Sequence, residues 1–177
     1  PHRSISGNFK KQLPMKKNLH LHCFLNRIAI TYKGNPLKVP PLQVIKDFFT
    51  YAQPAEHLKA FDEFCLAALS DQYSWRRGSP GNALYYSGQL ELLIEAAYLL
   101  YQKPQPKDGR NKLLIETLQS FFNYASLAKW KKRHHAFTHA ALSKSSVADE
   151  LSPIVVYKHT AYLKQLMKLA SVIVAAA

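Results

Sequence analysis

The chain has 177 residues, 47% of them apolar and 12% aromatic, and its 24 Lys and Arg against 11 Asp and Glu give a formal net charge of +13. That apolar content supports one packed core and excludes disorder along the whole chain. The longest apolar stretch, Leu84 to Tyr101, is interrupted by Gln89, Glu91 and Glu95, which argues against a membrane span.

Residues 1–18 are polar and read as a flexible basic arm. Met15-Lys16-Lys17 begins like a signal peptide, but His20, His22, Asn26 and Arg27 break up the apolar region that should follow. Over residues 19–31 two patterns compete. Leu19, Leu21, Cys23 and Leu25 alternate as in a strand, while Leu21, Phe24, Leu25 and Ile28 suit a helix. A short hairpin around Lys33-Gly34-Asn35-Pro36 is the alternative to an extra helix there. Pro40-Pro41 is followed by helical spacing over about 41–52, on Leu42, Ile45, Phe48 and Phe49. Pro54 opens the next expected helix, about 54–70. Asn82 is the expected N-cap of a long, mostly apolar helix to about 102, with Glu91, Glu95 and Gln102 as its polar stripe. After the connector Lys103 to Gly109, the pattern predicts a helix over about 110–130 that could run on into the histidines. Ser146 and Asp149 have capping-box spacing, and Ser152-Pro153 starts a last helix to about 174. The reading is an all-α, single-domain antiparallel bundle of five or six helices over 19–174, with the alanines 175–177 as a tail.

Charge is uneven along the chain. Residues 1–46 carry +9, residues 47–102 carry −4, residues 103–144 carry +7 and the remainder +1. If the two basic segments meet, they form a face suited to nucleic acid or another polyanion. The densest chemistry is Lys129 to His139. Lys131, Lys132 and Arg133 could grip phosphates there, with Trp130 stacking on a base. A second candidate is the loop Gln72 to Gly81. Arg76 and Arg77 precede the N-terminus of the long helix, where backbone N–H groups favour anions. The competing reading pairs those arginines with Asp62, Glu63 or Asp71.

Arg133 and His139, with five residues between them and the polar His134 next to the arginine, resemble the Arg-x4–6-His element of HEPN ribonuclease domains. The likeness covers those seven residues and the helical fold class. It implies metal-independent RNA cleavage with Arg133 and His139 as the working pair.

His135 and His139 also have the spacing of paired metal ligands, and His20, His22 and Cys23 form a second small cluster, with Cys65 as a further thiolate. No acid lies beside the histidine pair, so no metal or other cofactor is expected. Cys23 and Cys65, far apart and outside any CxxC, read as reduced thiols of a cytoplasmic protein. P-loop, GxGxxG, GxSxG and Cys/His zinc patterns are missing, which weighs against a standard enzyme. The reading is a binding module whose basic face contacts RNA or DNA. The alternatives are the ribonuclease above and a structural module with a protein partner or a second copy.

Overall fold

Four helices begin on proline, at Pro41, Pro54, Pro80 and Pro153. Its missing N–H costs nothing in the first turn, and its fixed φ is already helical. The computed structural model describes residues 23–71, 79–103 and 112–175. Among them are α1 (Asn26–Thr31), α2 (Pro41–Phe48), α3 (Pro54–Leu69), α4 (Pro80–Tyr101), α5 (Lys112–Tyr124), α6 (Leu127–Ala141) and α7 (Pro153–Ala175), with 3-10 turns at Pro36–Lys38 and Val147–Asp149 and no strand. The all-α bundle is what the chain forms. The arm expected over 1–18 and the loop carrying Arg76 and Arg77 lie outside the described residues. No described helix is long and apolar enough to cross a membrane.

Helix α4 is apolar nearly all round, and Leu90, Leu92, Leu93, Ile94, Ala96, Ala97 and Leu99 are all buried. A helix of that kind belongs in the centre of a bundle. It packs against α1, α2, α5 and α6, while α7 covers α3 and α5 on the other side. Pairs such as Ser87–His134 and Glu95–Lys131 show that α4 and α6 run antiparallel. Cys65–Thr160 and Asp62–Lys164 show the same for α3 and α7.

The hairpin alternative is overturned. Leu25 and Ile28 are buried and Ile30 is 67% exposed, so the three-residue helical step wins over alternation. The Gly34 N–H returns to the Ala29 carbonyl (3.3 Å), closing α1 in a Schellman turn, with Lys33 in the left-handed region at φ 50°. The helix expected over 110–130 is in fact two. Ser126 takes an extended conformation and its hydroxyl accepts the Lys129 N–H (3.4 Å), starting α6 afresh. The N-cap of α4 is Ser79, whose hydroxyl accepts the Asn82 N–H, and not Asn82 itself. The capping box of Ser146 and Asp149 forms as expected.

Candidate nucleic-acid interface

Consecutive helical residues point about 100° apart, so Trp130, Lys131, Lys132 and Arg133 cannot all serve one surface. Helix α6 turns the first two inward and the last two outward. Trp130 is fully buried, its ring stacked on Phe121 (centroids 3.9 Å apart) and its indole N–H donated to the Phe121 carbonyl (3.0 Å). It pins the corner between α5 and α6 and has no face to offer a base. The expectation that it stacks on nucleic acid is therefore corrected.

Lys131 is corrected in the same way. Its ammonium is buried between Glu91 (2.9 Å) and Glu95 (2.5 Å) of α4, and it donates to the Phe24 carbonyl (3.0 Å) and to the Asn26 side chain. Glu95 also accepts the backbone N–H groups of Arg27 (3.2 Å) and Ile28 (2.8 Å), capping α1 from another helix. Arg27 reaches Glu91 (2.9 Å) by lying across Gly88, where a Cβ would stand 3.4 Å from the guanidinium carbon. Burial raises the Glu91 carboxyl, but the Lys131 and Arg27 bonds and charges outweigh it and hold the group down at about 2. The two carboxylates of the polar stripe read on α4 are thus the buried centre of an ion cluster.

Facing outward from α6, a second stripe of Lys129, Lys132, Arg133, His135 and His139 lines a cleft of about 840 Å³. Its opposite wall is the corner Glu150-Leu151-Ser152 and Val155 of α7. Lys129, Lys132, His135 and His139 are exposed, and Arg133 is half-buried. The Arg133 guanidinium lies over the Tyr124 ring (4.8 Å), and its Nη1 is buried with no acceptor among the described residues. His135 Nε2 sits 3.4 Å from Glu91, and His139 Nδ1 sits 3.6 Å from Glu150. Glu150 is the one acid lining the cleft among the described residues.

Of the residues singled out from sequence, the cleft collects Lys132, Arg133 and His139. It excludes Trp130 and Lys131 and brings in Lys129 and His135, the latter singled out from sequence only as a metal-ligand candidate. The signal for the additions was available, since 129, 132, 135 and 139 follow three- and four-residue steps and 133 stands four from 129. Arg133 and His139 share the cleft but not a position. Six residues of helix separate them by roughly 9 Å along the axis and about 120° around it. Among the described residues, no three His, Cys, Asp or Glu side chains gather where they could hold a metal ion. No protein-family model matches the chain, and neither does any curated protein or solved structure.

Proposed function

We propose that the α6–α7 cleft holds the sugar–phosphate backbone of single-stranded nucleic acid without reading its sequence. The observation that carries this is the run of Lys129, Lys132, Arg133, His135 and His139 along the α6 wall of a cleft lined by a single acid among the described residues. Phosphate binding needs such a run of donors and positive charge. From Lys129 to His139 the face is about 15 Å long, room for a few nucleotides of backbone. Reading a duplex requires an element that protrudes into a groove about 12 Å wide, whereas this stripe is recessed. The aromatics of α6, Trp130 and Phe137, are buried in the core, so bases are not sorted by stacking on them and discrimination among them is weak.

Fluorescence anisotropy at low salt, with labelled single-stranded RNA, single-stranded DNA and duplex DNA of equal length, tests the reading. The two single strands should bind with similar affinity and ahead of the duplex. Lys132→Glu, which reverses a charge inside the cleft, should weaken both. Absence of binding, preference for the duplex, or indifference to Lys132→Glu refutes it.

A further inference from the structure

We infer that one end of the cleft seats a terminal phosphate of the strand, a phosphomonoester held by Arg133 of α6 and Lys158 of α7 beside Tyr124. The inference rests on the single-strand reading above and adds to it which part of the strand binds where.

Two cations from different helices converge on one aromatic ring. The Arg133 guanidinium lies over Tyr124 at 4.8 Å, and the Lys158 ammonium lies over the same ring at 5.2 Å. The ring is itself fixed, since Tyr162 stacks on it (centroids 4.9 Å apart) and Trp130 meets it edgewise (5.8 Å). An aromatic face attracts a cation without cancelling its charge. Neither cation is paired with a carboxylate among the described residues, and Arg133 Nη1 has no acceptor there. Two like charges gathered at one ring repel each other, and an anion that both reach replaces that repulsion with attraction. Arginine adds a planar fork of donors suited to phosphate oxygens.

The pair marks one end of the cleft. Its two walls run in opposite directions: His139 of α6 stands by Glu150 just before α7, whereas Trp130 of α6 meets Tyr162 farther along α7. Lys129, Arg133 and Lys158 therefore gather at the Tyr124 end. Glu150, the one acid of the lining among the described residues, stands beside His139 at the other. Val155 is the last α7 residue that lines the cleft, and Lys158 is three residues beyond it on the same face. An internal phosphodiester carries one negative charge, which a single lysine of the stripe answers. A terminal phosphomonoester carries about −1.5 to −2 at neutral pH and presents three acceptor oxygens. It therefore draws more from paired cations than an internal phosphate does. Charge thus orients the strand, with its phosphorylated end at Tyr124 and its backbone running toward His139. A phosphate at the 5′ or the 3′ terminus has this same chemistry.

The experiment measures the anisotropy of an internally labelled single-stranded RNA of one sequence in three forms, with a 5′-phosphate, with a 3′-phosphate, and with hydroxyls at both ends. At least one phosphorylated form should bind about tenfold more tightly than the hydroxyl form, the reach of one added charge-assisted hydrogen bond. The form that gains identifies the terminus that is seated. Lys158→Ala should abolish the gain and leave affinity for the hydroxyl form unchanged, because Lys158 lies outside the cleft lining. The position is exposed, so the variant should keep the wild-type circular dichroism. Arg133→Gln should weaken all three forms and make them equal. Equal affinity for the three forms in the wild type, or a gain that survives Lys158→Ala, overturns this inference and leaves the backbone reading standing. Failure to bind any form overturns both.

Discussion

Replacing Lys131 by Met removes a cation from the inside of the bundle and leaves Glu95 buried near Glu91, with Arg27 and His135 on Glu91 and no other side-chain cation shown on Glu95 among the described residues. Taking one partner from a buried ion cluster costs about 3–5 kcal/mol. Urea unfolding should show a loss of that order for Lys131→Met. Lys132→Ala, at an exposed position, should stay within about 0.5 kcal/mol of wild type. Equal effects at the two positions would contradict the inward and outward assignment. The sequence read the two lysines alike because composition does not record azimuth. The information lay in the periodicity of α6, where Leu127, Trp130, His134, Phe137 and Ala141 mark the buried side and Lys131 falls among them. Buried histidines give a second effect at this scale. Burial pulls the His134 imidazole from 6.5 down to about 4, against the opposing pull of its bond to Ser87. Burial also holds His159 well below its ordinary value, with His134 and Arg133 adding to the effect. A histidine depressed in the folded state favours unfolding once the unfolded chain takes up protons. Its contribution is whole above pH 6.5 and is lost as pH falls toward 4. For His134 alone that is about 3 kcal/mol. Thermal melts from pH 7 to 4 should fall steeply across this window, and His134→Gln should flatten the fall. An unchanged pH dependence would contradict the buried, neutral ring.

Element by element, the legible helices were those with both a start signal and an uninterrupted stripe. α2, α3 and α7 have proline starts, and α3 and α7 end within a residue of expectation. The break between α5 and α6 was missed because Ala125 continues the apolar spacing of Leu118, Phe121 and Phe122, and Ser126 shows itself as a cap only in the structure. Helix α1 was ambiguous for a different reason. It is short, has no side-chain cap of its own, and draws its N-terminal acceptor from Glu95, distant in sequence. Helices of this length are not stable alone and depend on tertiary contacts. Its C-terminal turn supplies a direct test. Lys33 occupies a left-handed conformation that costs an L-residue about 1–2 kcal/mol and glycine very little. After the entropy glycine gives up on folding, Lys33→Gly should raise stability by about 0.5–1 kcal/mol in chemical denaturation. A loss of stability would show that α1 does not end in this turn.

At the scale of the whole molecule, the described parts of the basic first and third segments do meet, where Lys131 of α6 reaches Phe24 and Asn26. They meet around Glu91 and Glu95 of the acidic second segment, so Arg27 and Lys131 are neutralised at the junction. What remains exposed and basic on α6, Lys129, Lys132, His135 and His139, lines the cleft. Lys131 therefore counts toward the net charge but not toward an accessible basic surface. The fold class was readable because hydrophobic spacing is local. The cleft was not, because its far wall at Glu150–Val155 reaches α6 only through the packing of α7.

The salt dependence of single-stranded RNA affinity tests the cleft most directly, since counterion release counts the phosphates a protein neutralises. With Lys129, Lys132 and Arg133 each engaging one phosphate, the log–log slope should be about −2, at roughly 0.7 per contact on a single strand. Lys129→Ala combined with Lys132→Ala should reduce it to about −0.7 while leaving the fold intact. A slope near zero in the wild type, or one that the double substitution does not change, would contradict the α6–α7 cleft as the site of binding.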